Sequence, residues 1–174
     1  MNAVKLQGRF RASAILITLV LMLPVAPLAQ SPAVRTIPKF QLRFLDGKTI
    51  GSKDLRGKVT IIDFWGTWCG PCLSEIADYN ELYRNYRNRG VFLLALAVDS
   101  GSEEDVRAAV RRLKIEYPVA VPSLKELDVF GDIMAVPTTL VINQKGEVVR
   151  EIIGASASKQ RMLRDLLDRL LTPN

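Results

Sequence analysis

The sequence predicts an α/β sandwich, a mixed central sheet flanked by helices, behind an apolar leader. Three observations carry this. Val59-Thr-Ile-Ile-Asp-Phe64 and Val91-Phe-Leu-Leu-Ala-Leu-Ala-Val98 are apolar runs of the buried-strand type. Each is followed by a stretch with helical spacing. Two further strand-like runs, joined by a short polar turn, come late, which places parallel inner strands beside an antiparallel edge.

Residues 1–29 contain Lys5, Arg9 and Arg11 and no acid. Ala12 to Leu23 is almost wholly apolar, and Pro24 and Pro27 follow. A positive end, an apolar stretch and a Pro-containing end are the layout of a secretory signal peptide. The apolar run is twelve residues, shorter than the roughly 20 a spanning helix needs. Two readings fit: cleavage after Ala29, or an uncleaved amino-terminal membrane anchor. Either makes the domain extracytoplasmic, in an oxidising compartment. The leader has no cysteine, which excludes lipid attachment through an amino-terminal thiol. Residues 30–37 read as a linker and 38–174 as one domain, long enough for a substantial core.

Within the domain, Phe40 to Leu45 alternates and meets Asp46-Gly47, a strand entering a hairpin turn. Val59 to Phe64 follows as a buried strand. From Pro71 to about Asn88, Ile76, Tyr79, Leu82, Tyr83 and Tyr86 recur at helical spacing, and Gly90 stops the helix. Ser102-Glu-Glu-Asp105 opens another helix, with acids in its first turn and Arg111, Arg112 and Lys114 near its end, an order that suits the helix dipole. Leu124 to Phe130 reads as a short helix. Thr138 to Ile142 and Val148 to Ile153 form a hairpin around Asn143-Gln-Lys-Gly146. Ser156 to Leu171 is an amphipathic helix.

Composition narrows the chemistry. With 48% hydrophobic and 24% charged residues the chain is globular rather than disordered. It has no histidine, which excludes histidine triads, histidine metal ligands and a histidine base. Two cysteines are too few for a disulfide scaffold or a four-cysteine zinc site. The net charge of +6 includes the three leader cations, and no basic run is interleaved with aromatics, so the chain is not expected to bind nucleic acid. It is expected to act as a monomer.

Both cysteines lie in Trp68-Cys69-Gly70-Pro71-Cys72, between the first buried strand and the first helix. A helix start presents unpaired amides and partial positive charge, which favour thiolate over thiol. Pro71 fits the first turn, where its missing N–H costs nothing. Two intervening residues let the sulfurs join. The chemistry indicated is thiol–disulfide exchange: Cys69 attacks a disulfide and Cys72 resolves the mixed disulfide, with no cofactor and no metal. A structural disulfide and half of a zinc site shared between chains are the bland alternatives. Asp63, in the apolar strand, suits a proton acceptor for the second thiol if buried, or is a strand-end residue facing solvent. Glu75, one turn beyond Cys72, either faces the sulfurs or is a surface carboxylate. Trp65 reads as core and Trp68 as a wall of the site; either could line a partner surface.

Asp63-Phe-Trp-Gly-Thr-Trp-Cys-Gly-Pro-Cys72 resembles the active-site segment of the thioredoxin superfamily, and Val136-Pro137-Thr138-Thr139 resembles its second signature. The resemblance implies a thioredoxin-like three-layer sandwich over about Pro38 to Leu171. It also implies a cis peptide before Pro137, with Val136 offering backbone groups to a bound chain, so Trp68, Val136 and Pro137 are the expected substrate-binding residues. The leader, the segment of about 25 residues between Asp99 and Ser123, and Glu75 three residues after Cys72 point to the TlpA/ResA-like branch, which includes cytochrome c maturation proteins. That branch usually has a proline two residues after the glutamate; Ala77 stands here. Thioredoxins proper have a lysine on the strand beside the aspartate; Leu94-Ala-Leu96 has none.

The resemblance further implies a reductase of exported protein disulfides, apocytochrome c among them, fed by a membrane electron-donor thiol protein. Gly70-Pro71 without histidine is the pattern of a reductant in this superfamily. The rivals are a peroxiredoxin-like peroxidase, whose Pro-x-x-x-Thr-x-x-Cys pattern is missing around Cys69, and a redox-inert binding module.

Overall fold

A computed structural model describes residues 35–131 and 133–172. The expected signal peptide or anchor, residues 1–29, lies outside the described residues. Among the described residues no helix is long and apolar enough to cross a membrane.

Among the described residues seven strands and four α-helices follow one another in the order β1 (Gln41–Arg43), β2 (Thr49–Gly51), β3 (Val59–Trp65), α1 (Gly70–Tyr86), β4 (Val91–Ala97), α2 (Glu103–Leu113), β5 (Val119–Ala120), α3 (Leu124–Asp128), β6 (Thr138–Ile142), β7 (Val148–Ile153) and α4 (Lys159–Leu171). The main sheet has the order β5-β4-β3-β6-β7. β4 runs parallel to β3 and β5, and β6 runs antiparallel to β3 and β7. This is the expected mixed sheet with parallel inner strands and an antiparallel edge. β1 and β2 form the expected hairpin at Asp46-Gly47 and touch the sheet through a bridge from Phe44 to Ala120.

β3 is buried along its whole length, which is why its sequence is apolar throughout instead of alternating. Its side chains still alternate between two cores. Val59, Ile61 and Trp65 pack with Ile76, Tyr79 and Leu82 of α1, Val106 of α2, and Leu163 and Leu167 of α4. Ile62 and Phe64 pack on the other side with Leu42, Phe44 and Ile50 of the β1–β2 hairpin and with Phe130. The period of two therefore sends Asp63 toward the face covered by α1 and α4.

α1 gives way to one 3-10 turn, Arg87–Arg89, and Gly90 ends it at φ +89°, a conformation that favours glycine. α2 is capped as its sequence promises. The Ser102 hydroxyl accepts from the Asp105 N–H and the Asp105 carboxylate accepts from the Ser102 N–H. Ser102→Ala removes half of this box and is expected to cost about 1 kcal/mol, read as a lower urea midpoint at unchanged slope.

Two segments differ from the sequence reading. Of the expected linker, residues 35–37 belong to the fold. Thr36 bridges to Glu147, the Ile37 N–H donates to Gly146 O at 2.8 Å, and the Arg35 guanidinium reaches Glu151 and the carbonyl of Phe130. The last helix begins at Lys159 rather than Ser156, with Ser158 as its N-cap residue. The intervening residues form the turn between β7 and α4.

Candidate active site

Cys69 is the N-cap of α1 and Pro71 stands in its first turn. The Cys72 N–H donates to Cys69 Sγ at 3.2 Å, and the first helical bond runs from the Leu73 N–H to Cys69 O. An anionic sulfur at this position gains from the helix dipole and from that amide. The two cysteines form a disulfide with Cα atoms 5.2 Å apart, and both are buried. The peptide bond between Val136 and Pro137 is cis. It sets Val136 O 3.7 Å from Cys69 Sγ, with Pro137 buried and Val136 half-buried.

The two tryptophans part company. Trp65 is buried in the α1-side core, whereas Trp68 is 61% exposed. Trp68 is nonetheless held in place. Its Nε1 donates to Asp99 O at 3.0 Å, and its indole lies over Gly66 so closely that a Cβ there would come within 2.8 Å of the ring. Glycine at 66 is what lets the ring fold down beside the cysteines. The Thr67 N–H donates to the Ser100 hydroxyl, fastening the same loop to the end of β4.

A buried polar cluster borders the core that holds the two cysteines and Tyr79. Asp63 is opposite Thr139 in the β3–β6 register, and the Thr139 hydroxyl donates to Asp63 Oδ1 at 3.0 Å. The Tyr79 hydroxyl, from α1, is 2.7 Å from the Thr139 hydroxyl. Glu75 is also buried, and its Oε2 is 2.8 Å from Lys159 Nζ at the start of α4. Lys159 was not singled out by the sequence, yet it is 2% exposed. One signal pointed to it. Lys159, Leu163 and Leu167 are spaced by four, so the lysine sits on the apolar stripe of α4.

Burial raises the Asp63 carboxyl to about 6, against an ordinary 3.8, while Lys159 and the bonds from Thr139 and Tyr79 pull it back. Burial and the negative charge of Asp63 push the Tyr79 hydroxyl well above its ordinary range, so Tyr79 is a donor. Between about pH 4 and 6 the unfolded chain has lost the Asp63 proton and the folded one has kept it, so stability falls as pH rises. With the disulfide intact, the stability of Asp63→Asn relative to wild type is expected to grow by about 2–3 kcal/mol from pH 4 to pH 7, by urea unfolding. A flat difference would show that Asp63 ionises normally.

Among the described residues no group of His, Cys, Asp and Glu is arranged to hold a metal ion. What the site holds is a disulfide at a helix start, a carbonyl beside it and a buried titratable carboxyl on the strand that leads into it. That arrangement defines a dithiol–disulfide exchange protein on a thioredoxin-like fold.

Comparison with known proteins narrows the class. The chain belongs to the AhpC/TSA family, whose model matches residues 34–151, and within it to the ResA-like thiol-disulfide oxidoreductases. It is 37% identical over 123 residues to the thiol-disulfide oxidoreductase ResA of Bacillus cereus, covering 71% of this chain and 70% of that one. It is 32% identical over 131 residues to ResA of Bacillus subtilis, covering 75% and 72%. A thiol:disulfide interchange protein of the thioredoxin family from Chlorobium tepidum superposes with a TM-score of 0.73 at 28% identity, covering 82% of this chain and 99% of that one.

Proposed function

We propose that this oxidoreductase is exported and works as a reductant of extracytoplasmic protein disulfides, with Cys69 as nucleophile and Cys72 as resolving thiol. One observation carries the assignment of roles: Cys69 caps α1 and its sulfur takes the Cys72 N–H, so Cys69 is the sulfur the helix stabilises as a thiolate. In the reduced protein that thiolate attacks one sulfur of a substrate disulfide. A Cys69–substrate disulfide forms and the other substrate sulfur leaves as a thiolate. Cys72 gives its proton to the Asp63 carboxylate and attacks Cys69 Sγ. The Cys69–Cys72 disulfide forms, the second substrate thiolate leaves, and two electrons have passed to the substrate.

The exposed Trp68 and the Val136 carbonyl supply an apolar platform and a backbone acceptor for an extended chain lying beside Cys69. Residues 1–29 supply the export signal or anchor. A thiol protein of the membrane returns the two electrons, because an oxidising compartment cannot. The Gly70-Pro71 pair and the absence of histidine support the reducing direction. Oxidised Cys-x-x-Cys-His segments of apocytochrome c are the substrates this reading puts first.

An insulin-reduction assay with dithiothreitol as donor tests the activity. Wild type is expected to accelerate precipitation of the insulin B chain, and Cys69→Ala to bring it back to the uncatalysed rate. A folded wild type without activity, or a fully active Cys69→Ala, would remove the proposal.

A further inference from the structure

Lys159 and its partner Glu75 are buried charged residues that the exchange chemistry above leaves unused. An ammonium loses several kcal/mol of solvation on burial, and a lysine stays inside only when paired. This one bonds Glu75 Oε2 at 2.8 Å and Gly154 O at 3.4 Å, and stands 5.6 Å above the Tyr79 ring. Glu75 is one turn of α1 beyond Cys72. The Gly154 N–H donates to Pro137 O at 2.7 Å. One ammonium thus joins the helix that carries the cysteines to the loop that carries the cis proline.

The charges around it form a short inventory. α1 contributes Glu75 and Tyr79, with Asp78 half-buried at the edge. β3 contributes Asp63, β6 the neutral Thr139, and the segment before β5 the buried Tyr117. The facing part of β4 is Ala95 and Ala97, without charge. Two buried carboxylates therefore share one buried cation, and the ion-paired one is Glu75. Asp63 accepts from the neutral Thr139 hydroxyl instead. The pair also lines a cleft of about 10 Å³ between α1 and α4, bordered by Asp78 and Gln160.

We propose that Lys159 is a positioning residue of the thiol site: it engages Glu75 in a buried ion pair, so that Asp63 is the carboxyl group that takes up and returns the proton of Cys72. The proposal rests on the reading of Asp63 as proton acceptor. It also accounts for the strand lysine missing at Leu94-Ala-Leu96, since the cation beside the buried aspartate comes from α4. The direction at Asp63 agrees, because Lys159 lowers its carboxyl more than Glu75 raises it.

The test separates the two sulfurs in time. Reduced protein mixed with 5,5′-dithiobis(2-nitrobenzoate) releases one thionitrobenzoate when Cys69 attacks and a second when Cys72 resolves the adduct. The rate of the second release, followed against pH, is expected to inflect near 6 in wild type. In Lys159→Met the inflection moves upward by about one pH unit or more, slowing the second release about fivefold or more at pH 6. Lys159→Arg keeps the wild-type profile. If Lys159→Met fails to fold, Glu75→Gln/Lys159→Met carries a neutral pair in its place, and its inflection moves upward by less. An unmoved inflection in the folded variant, single or double, makes Lys159 structural only and overturns the proposal. Asp63→Asn tests the underlying reading on its own. Loss of the inflection upholds it, and an unchanged profile removes Asp63 as acceptor and the role of Lys159 with it.

Discussion

Reduced protein carrying Cys72→Ser is expected to accumulate as a covalent adduct with its substrate, and its multiple-turnover activity is expected to fall at least about a thousandfold. The geometry says why the two cysteines give different variants. Cys69 keeps its place at the head of α1, so the first attack survives. Resolution needs a second sulfur close by on the same helix, and the Cα atoms of 69 and 72 are 5.2 Å apart, within disulfide range. A serine hydroxyl there is protonated and displaces no thiolate. The adduct then waits for an external thiol, which competes against what was an intramolecular step. Non-reducing electrophoresis and mass spectrometry of the trapped species read the outcome and identify the partner. Adducts formed through Cys72 in Cys69→Ser, and none formed through Cys69 in Cys72→Ser, would reverse the assigned roles.

How far the sequence carries can be judged element by element. β3 and β4 are legible because a strand covered on both faces must be apolar at every position, and few other structures ask for that. The start of α1 is legible because a cysteine cap, a proline and the helical spacing of Ile76, Tyr79 and Leu82 agree. β5 is missed because Val119–Ala120 is two residues long and owes its conformation to pairing with β4. The attachment of residues 35–37 is missed for a related reason: it is made by backbone bonds and one arginine, which leave no periodicity. The pairing of Glu75 with Lys159 spans 84 positions, and nothing local encodes it. Trp68 shows the reverse. Its reading as a wall of the site could be made from its place beside Cys69, whereas its hold on the loop through Asp99 and Ser100 is visible only in the structure.

Glu75→Ala is expected to destabilise the protein by about 3–5 kcal/mol, because it leaves the buried Lys159 ammonium without its carboxylate partner. The exposures decide the size. The side chains of Lys159 and Glu75 are 2% and 10% exposed, against 50% and 55% for the Arg89–Asp168 pair on the surface. Solvent screens the surface pair, so Arg89→Ala costs about 1 kcal/mol or less and serves as the control. Glu75→Leu/Lys159→Met removes both charges together and recovers most of the loss, since a matched apolar pair of similar volume bears no desolvation cost. Urea unfolding of the oxidised protein reads all three. A Glu75→Ala variant no weaker than Arg89→Ala would place the ammonium in contact with solvent. Recovery in the double variant without recovery of the wild-type pH profile would instead show the pair to be retained for proton placement, because stability alone is satisfied without it.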